Sequence, residues 1–183
     1  MYYALLAAVV ALDQATKHLA DVFLGPGSAG GGIGAVSVIP GFFDIAYTRN
    51  TGAAFSILQG QRAFLILFPL ALVVALQVFV FLRRGKEPPL LLAALTLISA
   101  GGLGNLIDRA RLGSVVDFFA FMSFPVFNVA DVAVCVGCGL AVLSILRSER
   151  RGGPKSAEGS RERAERDGEG AGRAAEGEGE PRG

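Results

Sequence analysis

The chain has 183 residues, 52% of them apolar and 18% charged, with a formal net charge of +1; an ordinary soluble domain is roughly 45 to 50% apolar. The near-neutral balance, with no basic patch beyond the flanks of the apolar stretches, excludes a nucleic-acid-binding surface, while two cysteines and one histidine exclude a disulfide framework and an ordinary zinc site. Residues 148 to 183 carry 17 charged side chains and residues 1 to 147 only 16, so the body reads as membrane-embedded and the tail as solvated.

A helix crossing the hydrocarbon core needs about 20 predominantly apolar residues. Four stretches are long enough: about 2 to 24, 63 to 82, 90 to 107 and 126 to 146. The first lacks a basic n-region and carries Asp13 and Lys17 within its apolar run, which reads as a retained span and not a cleaved signal peptide. Those two residues, acid before base at a spacing of four, pair on one helix face, either to stabilise the helix or to serve a site. Residues 25 to 34 (GPGSAGGGIG) form a linker by composition. The β-prone runs Val36 to Ile39 and Phe43 to Tyr47, split by Pro40 and Gly41, predict a hairpin on the membrane surface within a β region of about 35 to 60.

In the third span Gly101, Asn105 and Asp108 fall along one helical stripe. The glycines there suit close helix packing, and Asn105, Asp108 and Arg109 predict a polar network. Gly113 reads as the stop of that span and Pro125 as the start of the fourth. The outer loop Val115 to Phe119, which carries Asp117, then turns back over the mouth of a bundle into which Asp131 points. One continuous helix from 117 to 131 would instead hold the two carboxylates about 21 Å apart. Asn128 and Asp131, three apart, share a face; Cys135 and Cys138, mid-span, read as small packing residues. Residues 148 to 183 have too few apolar side chains to fold and read as a disordered, charged cytoplasmic tail.

Orientation follows from the short loops. Arg83, Arg84 and Lys86 lie on the same side as Arg147, Arg150 and Arg151, which the positive-inside rule makes cytoplasmic. Both termini are then inside, and segments 25 to 62 and 108 to 125 lie at the outer face.

Ionisable groups within a membrane are costly and mark function. Two carboxylates in one low-dielectric site cannot both ionise, so a shared proton makes one an acid and the other a base. Asp117 and Asp131 are that pair, or else two unrelated interfacial acids. His18 stands alone without HExxH, there is no GxSxG, and no serine is singled out to work with Lys17. The rival from another class is a four-span proton-coupled carrier or channel. A relay would spread its acids through the membrane depth, whereas Asp108, Asp117 and Asp131 all fall near the outer interface.

These residues assemble into a pattern. Asp13-Gln14-Ala15-Thr16-Lys17 matches a DQxTK motif, Asn50 to Phe55 an NxGAAF motif, Gly104 to Arg109 a GNxxDR motif, Val115 to Phe118 a VxDF motif and Phe127 to Asp131 an FNxAD motif. With these five in order, the chain resembles the bacterial lipoprotein signal peptidases (signal peptidase II) over nearly all of residues 10 to 135. The resemblance implies an all-α membrane protein, a four-transmembrane-helix bundle with a small outer-face β-cradle, in the bacterial cytoplasmic (inner) membrane. It implies an aspartic endopeptidase, without cofactor or metal, that cuts diacylglyceryl-modified prolipoproteins just before the lipidated cysteine. By position, Asp117 and Asp131 are the catalytic pair; Asn50, Gly52, Asn105, Arg109 and Asn128 line the substrate site; Asp13, Lys17 and Asp108 support it. A monomer among membrane lipids is expected. The Gly-rich stretch and the tail depart from the family without touching a motif. Segment 50 to 60, through Phe55, Ile57 and Leu58, is expected either to lie as a lid over the pair or to anchor the loop in the interface.

Overall fold

The computed structural model describes residues 1 to 26, 34 to 52 and 62 to 151. The lid residues Phe55, Ile57 and Leu58, most of the Gly-rich linker and the tail beyond Arg151 lie outside them. In chain order the elements are α1 (Tyr2–Leu24), β1 (Ala35–Ile39), β2 (Phe43–Asn50), α2 (Arg62–Leu82), α3 (Pro89–Leu112), β3 (Val115–Phe121) and α4 (Val129–Arg151). Met1–Val142 forms one compact unit; of the second, from Leu143 onward, the described part is the last stretch of α4.

The helices are inverted relative to those of a soluble domain. On α1 the buried residues are Asp13, Lys17, Ala20 and Leu24, a single stripe at spacings of four, three and four, while Leu12, Leu19, Val22 and Phe23 are exposed. A soluble amphipathic helix turns its charges the other way. On α2, Leu65, Val73 and Val80 are buried and Leu67, Phe68, Val74, Val78 and Phe81 face outward. Among the described residues, three helices are long and apolar enough to cross a membrane: Ala63–Leu82, Pro89–Leu112 and Val129–Glu149. Helix α3 is the central one, packing on both α1 and α2. It begins at Pro89, where a missing N–H costs nothing, and ends at Gly113, whose φ of 73° lets its N–H reach back to the Arg109 carbonyl at 3.1 Å in a left-handed cap. The third helix thus runs to Leu112 and stops at Gly113 as the sequence reads, past the apolar stretch that ends near Ile107, and Asp108 and Arg109 sit within its last turns.

The hairpin forms as expected, with Gly41 at φ 73° in its turn, but the sheet has a third strand. The order is β1-β2-β3, all antiparallel. The stretch read as an outer loop, Val115 to Phe119, is in fact β3, which pairs Asn50 with Val115 and Thr48 with Asp117, with a bulge between Thr48 and Ile45 before the Ile45–Phe119 pair. The β region is thus not confined to residues 35 to 60. Pro125 does not start the fourth helix either. Phe127 forms a β-bridge with Phe119, its N–H and carbonyl both engaged there, so the chain stays extended until Asn128 caps α4. Under the sheet, Ala20, Val116 and Phe118 form a buried apolar cluster with Ile45, Tyr47, Phe119 and Val129 packed on it. This cluster joins α1 to β3 and fixes the height of Asp117 against the helices.

Candidate active site

The start of α4 builds the site. Asn128, fully buried, is its N-cap: Oδ1 accepts the Asp131 N–H at 3.0 Å, and Asp131 Oδ2 accepts the Asn128 N–H at 3.2 Å. This is a reciprocal capping box with Asp in place of the usual Glu or Gln. The amide of the same asparagine also donates to Asp117 Oδ1 at 2.6 Å. One residue thereby bridges two carboxylates that lie 14 residues apart in sequence, its side-chain amide on Asp117 of β3 and its backbone N–H on Asp131 of α4.

Each carboxylate has a second amide. Asn50, at the end of β2, donates to Asp117 Oδ2 at 3.2 Å and turns its own Oδ1 to the Gly52 N–H at 3.0 Å. Asn105 of α3 donates to Asp131 Oδ1 at 2.8 Å. Arg109, one turn on, donates to the Gly52 carbonyl at 3.0 Å, tying the exit of β2 to α3. Asn50, Asn105, Arg109, Asp117 and Asp131 line a cavity of about 310 Å³, with an apolar remainder that includes Val115, Phe124, Phe127, Val134 and Cys135. Asp117 is only 3% exposed. Burial first, and then the facing Asp131 carboxylate, push its pKa from 3.8 up to about 6 against the amide bonds that favour its ionised form.

Beneath this cavity lies a second cluster. Lys17 Nζ contacts Asp13 Oδ2 at 2.9 Å, Asp108 Oδ2 at 3.1 Å and Asn105 Oδ1 at 2.8 Å, all three charged groups being nearly inaccessible. Asp13 Oδ1 accepts the Ala130 N–H at 2.9 Å, and Asp108 Oδ2 accepts the Val116 N–H at 3.1 Å. Gln14 closes the cluster, donating to Asp108 at 3.0 Å and to the Gly104 carbonyl at 3.2 Å. Close approach is possible because Gly104 leaves room: a Cβ there would lie 2.5 Å from Asp13 Oδ2.

All ten residues singled out from the sequence thus belong to one connected network. Gln14 joins them without having been singled out, although a polar residue beside a mid-helix Asp is itself a signal. The reading of Cys135 and Cys138 as packing residues needs correction: both are exposed, and Cys135 is part of the cavity wall, because it follows Asp131 by one turn on the same face.

A family model described as signal peptidase (SPase) II matches residues 5–147. A lipoprotein signal peptidase of Geobacter sulfurreducens is 42% identical over 160 residues, spanning 84% of this chain and 96% of its own. One from Brevibacillus brevis is 39% identical over 146 residues, spanning 79% and 93%. The fold is similar to the solved structure of a bacterial membrane enzyme, with a TM-score of 0.69 at 33% identity over 81% of this chain and 94% of that one.

Proposed function

The chain belongs to the signal peptidase II family, and on that premise we propose that it is an aspartic endopeptidase in which Asp117 and Asp131 cut diacylglyceryl-modified prolipoproteins just before the lipidated cysteine. The observation that carries the aspartic reading is the pair of carboxylates that Asn128 joins, through its side-chain amide to Asp117 and its backbone N–H to Asp131, in a cavity walled partly by apolar side chains. A dyad needs one proton between two acids, and burial and the facing Asp131 carboxylate raise the pKa of Asp117 to about 6, so the one-proton state persists to higher pH than a free carboxyl would allow.

In the one-proton state the burial of Asp117 favours the proton there, and both carboxylates face the cavity. Asp131 takes a proton from water as its oxygen bonds to the scissile carbonyl carbon, and Asp117 gives its proton to the carbonyl oxygen. The resulting gem-diol collapses as the C–N bond breaks: the nitrogen leaves with the proton of Asp131, and one hydroxyl of the gem-diol returns its proton to Asp117, which leaves a carboxylic acid and the pair with one proton again. Asn50, Asn105 and Arg109 form the wall against which the extended substrate lies, and Gly52 and Asn128, both buried, hold that wall in place through their bonds to Asn50, Arg109 and Asn105. The lipid arm stays with the apolar side of the cavity, toward Phe124 and Val134.

The bundle is read as four spans, α1 being the fourth, because its charges turn inward and its apolar side chains outward. Residues 1 to 147 make up the peptidase domain, and residues 148 to 183 a cytoplasmic tail. Both termini then lie in the cytoplasm, with the sheet and the carboxylate pair near the outer face, and the protein acts as a monomer. The test is cleavage of a purified lipidated prolipoprotein, read as a mass shift. Asp117→Asn and Asp131→Asn should each abolish it while still inserting in the membrane, and near-normal turnover by either variant would refute the dyad.

A further inference from the structure

The cluster built on Lys17 does not touch the cavity, yet its bonds end one step from the reacting pair. Asp13 holds the N–H of Ala130, the residue before Asp131. Asp108 holds the N–H of Val116, the residue before Asp117. Lys17 joins the two carboxylates at 2.9 and 3.1 Å, so one ammonium group ties together the backbones from which both acids hang.

Its third bond is the informative one. A carboxamide has two orientations related by a half-turn, which exchange a donor for an acceptor. Asn105 Oδ1 receives Lys17 Nζ at 2.8 Å and Asn128 Nδ2 at 3.1 Å, and its Nδ2 donates to Asp131 Oδ1 at 2.8 Å. Lys17 has only donors. The flipped amide would set an NH₂ against an ammonium and a second NH₂, and would point a carbonyl oxygen at a carboxylate. In a site this buried, each such mismatch leaves a polar group without the partner that offset its desolvation, so one orientation is selected.

We propose that Lys17 is a positioning residue for the reaction, acting through Asn105: it holds the Asn105 amide with its NH₂ on Asp131 and, through Asp13 and Asp108, fixes the spacing of the two acids. The proposal rests on the aspartic reading of Asp117 and Asp131. The charged groups around the pair are Asp13 and Lys17 from α1, Asp108 and Arg109 from α3, Asp117 from β3 and Asp131 itself from α4. Among them Lys17 is the one whose ammonium the Asn105 oxygen accepts.

The experiment is a double-mutant cycle of Lys17→Met and Asn105→Ala on cleavage of a lipidated prolipoprotein. Lys17→Met should lower kcat about a hundredfold, the size of a loss from misplacing a catalytic group. It should leave KM within a factor of about two, because Lys17 is not among the described residues that line the cavity. With Asn105→Ala the losses should not multiply, and the double variant should be about as slow as the slower single one. Multiplying losses, or a Lys17→Met effect confined to KM, would overturn the proposal. If Lys17→Met does not fold, with Asp13 and Asp108 left buried without their cation, the same cycle is run in an Asp108→Asn background. The amide introduced by that substitution can still accept the Val116 N–H, and only one acid is left unpaired. Asp131→Asn in parallel separates the two readings: if it still cleaves, the dyad itself is wrong, whatever the cycle gives.

Discussion

Asp117→Asn should do more than stop cleavage, because it removes an acid that the fold holds in an unfavourable state. Raising its pKa from 3.8 to about 6 corresponds to about 3 kcal/mol. A raised carboxyl pKa means that the folded chain binds the proton more tightly than the unfolded one. The penalty is absent well below pH 3.8, grows as pH rises from 3.8 to about 6, and is complete above that. The neutral amide of the variant escapes it. The variant has its own cost, independent of pH: Asp117 accepts from Asn128 at 2.6 Å and from Asn50 at 3.2 Å, and the oxygen of an amide can take the place of only one of these acceptors. It should keep the shorter bond, while its NH₂ meets the amide of Asn50 at a cost of about 1 to 3 kcal/mol. Unfolding free energies should be measured in one detergent at a series of pH values from about 4 to about 7.5. The variant should be the less stable protein at the acid end, and the difference should move in its favour by about 2 to 3 kcal/mol across the series. Groups shared by both proteins cancel in that difference, so its slope reports the pair. Parallel curves, or a difference moving the other way, would refute the argument that burial and Asp131 raise the pKa of Asp117.

Two further outcomes follow from geometry alone. Gly104→Ala would put a methyl 2.5 Å from Asp13 Oδ2 and 3.3 Å from the Ala130 Cβ; overpacking of this kind costs about 1 to 3 kcal/mol, and the carboxylate it displaces holds Lys17. A lowered unfolding midpoint together with reduced kcat should result, and wild-type values for both would contradict the packing described. Cys135 lines the cavity and Cys138 does not, so an N-alkylmaleimide should slow cleavage by the wild type and leave Cys135→Ala at its own untreated rate, which a cleavage time course with and without reagent measures.

What is legible in the sequence is the inventory of polar residues, because each is expensive in an apolar helix and spacing alone assigns it a face. Asp13 and Lys17 four apart have to share a stripe, and they do, with Ala20 and Leu24 completing it. The strand β3 is not legible in that way. Val115 to Phe121 is an apolar run with one acid, compatible with a buried loop or a strand, and its partner β2 lies more than 60 residues earlier. Strand pairing over such a distance leaves no local periodicity to detect.

The start of the fourth helix escapes the sequence for a different reason. Proline is favoured in the first turn of a helix, and Pro125 offers that signal. The rule says only what proline tolerates there. It says nothing of where Phe127 spends its N–H and carbonyl, and both go to Phe119, which keeps the chain extended beyond Pro125. The better signal is three residues further on: Asn128 followed by Asp131 has the spacing of a capping box with a shorter acid. That spacing places the helix start at Val129 and also says something about chemistry. An acid that caps a helix receives backbone N–H groups there, and the asparagine opposite keeps an amide to spare. That spare amide is what reaches Asp117. The bond that starts α4 and the bond that gathers the two acids come from the same side chain. Replacing Asn128 with an apolar residue would therefore remove the helix cap and the bridge between the carboxylates in one step.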